Sequence, residues 1–331
     1  MALLEVKNLK IYYRINHGVL SRVLGVKSEM VKAVDDLTFD IDEGEIVGIV
    51  GETGCGKTTL GKSILLLIKP VEGKIFFEGE NILELSGKGI RQFRRQVQIV
   101  PQDPVGSLNP RMKIKNAIAE PLRAYNGMYH EKIEETVGNL LKTVDLSPEY
   151  GEKYPFQLSG GEARRVTVAR SLALHPKLII CDEPTSGLDF STSAKILNVV
   201  KEIHDKFNLT YAWISHNLHE VNYISDRILV MYLGKIVEIG KTSDIFTNPA
   251  HPYTQGLLQA VPRFIGRKSL TQKKVHLRGE VPSPINPPPG CRFHPRCAFR
   301  MAKCMEVEPM AVTIKEGHKV ACCRVLSNSG M

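Results

Sequence analysis

The chain has 331 residues, 43% hydrophobic and 24% charged, a composition that suits a globular protein with room for two or three domains. Its formal charge of +9 is unevenly placed: residues 1–250 hold 31 basic and 31 acidic side chains, whereas residues 251–331 hold 13 and 4. No uncharged apolar stretch reaches the ~18–20 residues that cross a bilayer, and Glu5 and Lys7 stand where a signal peptide would need an apolar core. The expectation is a cytosolic chain, where disulfides rarely persist. Five of its seven cysteines crowd the basic tail, and there they read as metal ligands rather than a disulfide framework.

Residues 3–42 read as a strand-rich section with a long stretch, Asn16 to Met30, that is assigned no chemistry. Glu45 to Val50 is a short apolar run, the pattern of a buried strand, and Lys57 to Ile68 reads as a helix stopped near Pro70. Between them Gly51-Glu-Thr-Gly-Cys-Gly-Lys57-Thr58 matches the phosphate-binding loop G-x-x-x-x-G-K-[ST] in its strand–loop–helix setting. Gly51, Gly54 and Gly56 let the backbone turn tightly, so that its N–H groups and the following helix N-terminus point at phosphate oxygens. Lys57 reaches the β/γ-phosphates and Thr58 offers a hydroxyl to Mg²⁺. Thr53, Cys55 and Thr59 complete the stretch that faces nucleotide. Cys55 reads as a small residue fitting a tight turn in preference to a redox-sensitive thiol.

Helical patterns near 131–144, 162–175 and 191–207 alternate with apolar runs at Leu178 to Cys181 and Thr210 to Ile214, which argues for an α/β domain. The first of these runs ends in Asp182-Glu183. Asp182 can hold Mg²⁺ opposite Thr58, and Glu183 can polarise the attacking water. Cys181, inside the run, reads as inert core.

Pro282 to Gly290 is a stiff linker by composition. Cys291, Cys297, Cys304 and the pair Cys322-Cys323 follow without the C-x₂₋₄-C spacing of a structural zinc site. Thiolates spread over a loop can instead hold an iron–sulfur cluster, with His294 and His318 as alternative ligands. So short a segment has little core of its own and needs a staple. Arg292, Arg296, Arg300, Lys303 and Arg324 either offset the charge of a thiolate cluster or form a solvated basic face. The bland alternative is a small domain without metal.

Leu158-Ser159-Gly160-Gly161-Glu162 stands between the two acidic and phosphate-loop motifs. With it, residues 3–260 or so resemble an ATP-binding cassette (ABC) ATPase, whose signature is Leu-Ser-Gly-Gly-Gln; Glu162 is the departure. The resemblance implies an α/β P-loop NTPase fold with a RecA-like core, an N-terminal antiparallel β section and a helical signature subdomain at about 103–170. That ATPase domain spans 1–250, and a small Cys-rich extension spans 251–331. The resemblance makes Tyr13 the aromatic that stacks on adenine. Gln102 becomes the Q-loop glutamine, near Mg²⁺ and linking nucleotide to the membrane subunits. Asp189 becomes the D-loop aspartate, and His216 the switch histidine at the γ-phosphate. Cassettes of this kind pair head-to-tail, so Ser159, Gly160, Gly161 and Glu162 would face ATP bound to the partner.

Three segments narrow the resemblance: Gln102 to Arg111, Tyr223 to Gly240, and Asn248 to Gly256 with its His-Pro-Tyr. They are similar to the oligopeptide/dipeptide importer ATPases, in particular the second of two paralogues that pair as a heterodimer. This implies a peripheral protein on the cytoplasmic face of the membrane that hydrolyses ATP to power solute import. Its partners would be a paralogous ATPase, two transmembrane permease subunits and an extracellular solute-binding protein. The group's extension implies a 4Fe–4S cluster on Cys291, Cys297, Cys304 and Cys322, with zinc as the rival. Cys322 is preferred over Cys323 because the group's pattern reads Gly-His-x-Val-Ala-Cys. A competing reading is a soluble ABC ATPase acting on nucleic acid through the basic tail. The interval of about 107 residues from Gly51 to Leu158, without a heptad array, and the single phosphate loop argue against it. The presence of Glu183 and His216 argues against a non-catalytic regulatory cassette.

Overall fold

The computed structural model describes residues 2–15, 29–126, 130–260, 277 and 279–328. Residues 16–28 of the long early stretch lie outside them, and Glu29 and Met30 already belong to a strand. In chain order the elements are β1 (Ala2–Ile15), β2 (Glu29–Asp42), β3 (Ile46–Val50), α1 (Lys57–Ile64), β4 (Glu72–Phe77), β5 (Glu80–Asn81), α2 (Gly87–Gln96), β6 (Val97–Val100), α3 (Ile114–Asn126), α4 (His130–Thr143), α5 (Gly160–Leu172) and β7 (Leu178–Asp182). They continue with α6 (Phe190–Phe207), β8 (Thr210–Ser215), α7 (Leu218–Ile224), β9 (Arg227–Tyr232), β10 (Lys235–Lys241), α8 (Thr242–Thr247), α9 (Pro252–Ala260), α10 (Lys303–Glu306), β11 (Val312–Lys315), β12 (His318–Val320) and α11 (Cys323–Asn328).

The chain forms two compact units. One comprises Met1–Leu4, Asp40–Ile46 and Phe76–Ser215. Its strands β6, β7 and β8 are parallel neighbours, with Val97 opposite Leu178 and Leu178 opposite Thr210. Every residue of β7 and β8 is buried, as expected where helices cover both faces of a parallel sheet. Helix α6 shows why such a cover forms: Ser193, Ile196, Leu197, Val200 and Ile203 recur on one face and are buried. Burying each large aliphatic contributes about 1.5–3 kcal/mol. Asp189 caps its start and Asn208, in the left-handed conformation, ends it.

The other unit comprises Glu5–Phe39, Val47–Ile75 and His216–Met331. Here β3 runs parallel to β9, and β9, β10, β12 and β11 continue antiparallel in that order. The tail strand β12 thus pairs with β10, Glu238 opposite Val320. In the N-terminal antiparallel sheet β1 lies between β2 and β4. The proline segment runs without regular structure, and Lys32 N–H donates to Pro284 O at 3.0 Å.

Helix α1 ends at Ile64, four residues before the sequence suggested. Leu66 takes a left-handed φ of 55°. Leu67 N–H then reaches Lys62 O at 2.9 Å and Leu66 N–H reaches Ser63 O at 3.0 Å. That double closure is a Schellman motif, made without the glycine that usually announces one.

Candidate nucleotide site

The phosphate loop hangs between β3 and α1. Gly56 has φ 106°, and a Cβ there would stand 2.1 Å from Ala33 O, so only glycine fits. Gly54 has φ 82°, a left-handed conformation that favours glycine, with open space where a side chain would be. Lys57 folds back over the loop, its Nζ donating to Gly51 O at 2.7 Å and Glu52 O at 3.1 Å. Cys55 is buried, and burial pushes its thiol pKa up despite the nearby Lys57. It packs as a small inert residue, as the sequence suggested. Tyr13 is partly exposed, with its hydroxyl 3.5 Å from Thr59 Oγ1. His216 lines a cavity of about 240 Å³ together with Gly51, Glu52, Thr53, Leu218 and Leu257. The sequence-expected residues Tyr13, Thr59, Lys57 and His216 therefore gather within one unit.

The other unit carries the strand-end acids. Asp182 is buried at the end of β7. Glu183 follows with φ 46°, a left-handed conformation costly for a residue with a side chain, and its N–H donates to Ile214 O at 2.9 Å. Gln102 Nε2 donates to Glu183 Oε2 at 3.3 Å, which joins the Q-loop to the strand-end acid. Two arginines from α5 hold the segment around Gln102. Buried Arg164 donates to Pro101 O at 2.6 Å and Arg170 to Ser107 O at 2.9 Å. Sequence patterning gave no sign of this pair.

The signature residues open α5. Ser159 and Gly160 are exposed, while Gly161 is buried, and a Cβ there would stand 2.4 Å from Thr192 Cγ2. Glu162 closes the start of α5 in a role that glutamine can also fill. Ser159 N–H donates to Glu162 Oε2 at 2.7 Å, and Glu162 N–H donates to Ser159 Oγ at 3.3 Å. Tyr150 Oη adds a bond to Oε1 at 2.7 Å. The Tyr150 and Ser159 bonds hold the carboxyl below its ordinary range. The S-x-x-E spacing of a capping box is the signal that could have found it. Asp189 acts likewise at α6, accepting from Thr192 N at 3.0 Å and Oγ1 at 2.6 Å.

The His-Pro-Tyr segment packs beneath the phosphate loop. His251 is buried, with its N–H on Glu238 Oε2 at 3.0 Å and its Nδ1 accepting from Tyr253 N–H at 3.0 Å. Burial lowers its pKa to about 4, so the ring is neutral at physiological pH. Tyr253 accepts from Glu52 N–H at 2.9 Å and packs on Tyr232 and Phe293, at centroid distances of 4.6 and 5.4 Å.

The tail corrects the reading of its charges. Arg292 is bonded to Asp35 and to Leu233 O, and Arg296 to Glu52 and Tyr232. Neither offsets a thiolate cluster, and neither offers a basic surface to nucleic acid. Lys315 pairs with Asp244 at 2.9 Å. Arg324, stacked over Phe299 at 4.4 Å, lowers Cys297 and Cys322, and Lys303 lowers Cys323, each against the larger upward push of burial. His318 Nε2 lies 2.8 Å from Glu238 Oε1 inside the fold. His294 Nδ1 sits 3.0 Å from Cys291 O.

None of the described cysteines is joined in a disulfide. Cys291, Cys297, Cys304 and Cys322 lie near enough to influence one another electrostatically, and burial pushes the Cys291 thiol up to about 12. Cys323 Sγ is turned to Val307 O at 3.8 Å. Among the described residues no three His, Cys, Asp or Glu side chains are grouped closely enough to hold a metal ion. In this conformation the thiols do not form a ready metal cage. No described helix is long and apolar enough to cross a membrane.

A strand–loop–helix phosphate cradle, a strand-end Asp-Glu with its glutamine and a capped signature helix define an ATP-binding cassette. Residues 34–186 match the ABC transporter family, and the chain belongs to it. Residues 237–304 match the C-terminal region of oligopeptide/dipeptide transporters. Over its full span the chain is similar to the oligopeptide transport ATP-binding protein AppF of Bacillus subtilis, 44% identical over 97% of this chain and 96% of AppF. It is also similar to the oligopeptide transport ATP-binding protein OppF of Salmonella typhimurium, 40% identical over 98% and 96% of the two chains. The fold is similar to the ATP-binding cassette MJ0796 in a dimeric post-hydrolysis state with ADP and Pi. That match has a TM-score of 0.64 and 28% identity, covering 72% of this chain and 98% of the other.

Proposed function

We propose that this chain is the ATP-hydrolysing subunit of an ABC importer for oligopeptides or dipeptides. The observation that carries this reading is the coincidence of an intact set of ATPase residues with peptide-transporter likeness along 97% of the chain. The peptide-transporter likeness favours this reading over the nucleic-acid one, and the tail's Arg292 and Arg296 pair with carboxylates inside the fold. The test is ATP turnover by the assembled transporter, which should rise when peptide-loaded binding protein is added and stay unchanged with DNA.

In this reading the residues divide the work. Tyr13 stacks on adenine, and the backbone from Gly51 through Thr59 receives the phosphates. Thr58, Gln102 and Asp182 are hard oxygen donors of the kind that suit Mg²⁺, which when bound supplies charge neutralisation at the phosphates. Gln102 bonds Glu183 through its amide nitrogen, which leaves its oxygen for that role. Glu183 orients and deprotonates the attacking water, and His216 holds the γ-phosphate end of the loop cavity. Ser159, Gly160, Gly161 and Glu162 present the α5 N-terminus to ATP on the partner cassette, with Asp189 beside them. The subunit is peripheral on the cytoplasmic face. It pairs with a paralogous ATPase, docks on two permease subunits and serves an extracellular solute-binding protein. The ATPase domain ends near 250 and the extension follows.

In the tail we assign Cys291, Cys297, Cys304 and Cys322 to a 4Fe–4S cluster, with zinc as the competing ion. The assignment rests on the cysteine pattern of the extension; Cys323, which also interacts with Cys304 and Cys322, competes with Cys322 as the fourth ligand. No step of ATP hydrolysis passes through this group. Anaerobically purified protein should be brown and contain about four irons per chain, the count of the assigned cluster type. Colourless protein with one zinc per chain, or with no metal, would overturn the assignment.

A further inference from the structure

Glu52 is the second residue of the phosphate loop, a position that the motif leaves open. In this structure it is gripped at three points. Its N–H donates to Tyr253 Oη at 2.9 Å, and its carbonyl accepts from Lys57 Nζ at 3.1 Å. Its carboxylate takes both arms of the Arg296 guanidinium, Nη1 to Oε2 at 2.6 Å and Nη2 to Oε1 at 3.0 Å. The Arg296 side chain is 7% exposed and that of Glu52 24%. This is therefore not one of the solvated pairs that contribute little. A bidentate fork fixes orientation as well as distance, which a lysine in its place would not do.

Arg296 is itself held in place. It ends the short 3₁₀ turn His294–Arg296, its N–H donates to Phe293 O at 3.0 Å, and its guanidinium lies 5.8 Å from the Tyr232 ring centroid. Phe293, Tyr232 and Tyr253 form the aromatic floor beneath it. The tail has separate fastenings in the pairing of β12 with β10 and the Arg292–Asp35 bond. The Arg296 fork is thus aimed at the loop and is not the tail's only attachment.

We propose that Arg296 is a positioning residue for ATP binding: through Glu52 it holds the Gly51–Thr53 backbone in the shape that receives phosphate. The two carbonyls that hold Lys57 belong to this same clamped segment, so the fork also sets where the Lys57 ammonium waits. A loop released from the fork must be ordered at the expense of nucleotide binding. The proposal rests on reading the loop as the ATP site.

The test uses the full chain, with a fluorescent ATP analogue for affinity and steady-state turnover in the assembled transporter. Arg296→Ala and Glu52→Gln should each weaken nucleotide binding about tenfold, within the range for residues coupled through one ion pair. KM for ATP should rise alongside with kcat nearly constant, the mark of lost uniform binding. The double variant should lose no more than either single one, and Arg296→Lys should recover only part of the affinity. Glu52→Gln leaves the tail untouched, so it stands as the test should Arg296→Ala fail to fold. Unchanged affinity in Glu52→Gln, or additive losses in the double variant, overturns the proposal. Lys57→Ala separates the two readings. If it alone loses nucleotide, the loop is the ATP site and the positioning role fails. If it binds nucleotide normally, the site itself is misassigned.

Discussion

Replacing Lys57 with alanine is expected to reduce ATP turnover at this subunit's site by about 10²–10³-fold or more, the scale of losing one preorganised charge at a reacting phosphate. The physical case is local. Lys57 is the only cation of the loop sequence from Gly51 to Thr59. It is buried and tethered to the loop's own carbonyls, so its charge is already in place when nucleotide arrives. Alanine keeps helix propensity at the start of α1, so the loss falls on phosphate binding rather than on the fold. Phosphate release by the assembled transporter measures it, and near-normal turnover would remove the loop from the site.

Glu183→Gln is expected to bind ATP and fail to hydrolyse it, with kcat lower by about 10²–10⁴-fold, the contribution of a general base. Glutamine has the same size, keeps an oxygen for Gln102 and asks nothing new of the left-handed backbone at this position. Only the basicity is lost. With ATP the cassette pair should then accumulate in its closed, ATP-bound form, visible as a dimer by size-exclusion chromatography. Normal turnover by this variant would place the base elsewhere.

Features encoded by neighbouring residues were legible in the sequence. Ile46–Val50 and Leu178–Asp182 are continuous apolar runs ended by glycine or an acid, and both are buried strands. The spacing of Gly51 to Thr58 defined the phosphate cradle before any coordinate did. What stayed hidden depends on partners far along the chain or on conformations without a residue signature. In sequence Arg292 and Arg296 read as charges beside a thiolate cluster or on a solvated face, yet they find carboxylates 257 and 244 residues earlier. No local pattern encodes such a pairing. The early end of α1 rests on a left-handed leucine where the pattern of Lys57 to Ile68 promised more helix. Glu162 is a different case, because its capping box is written in the sequence as Ser-x-x-Glu.

The central claim is that ATP hydrolysis by this chain powers peptide uptake. The direct measurement is accumulation of a labelled oligopeptide in sealed vesicles carrying the permease subunits and both ATPases, with peptide-loaded binding protein on the opposite face. ATP supplied on the ATPase side should drive uptake, and Lys57→Ala in this chain should reduce it to the level seen without ATP. Peptide accumulation that persists with Lys57→Ala, or ATP turnover that ignores peptide-loaded binding protein, would contradict the account.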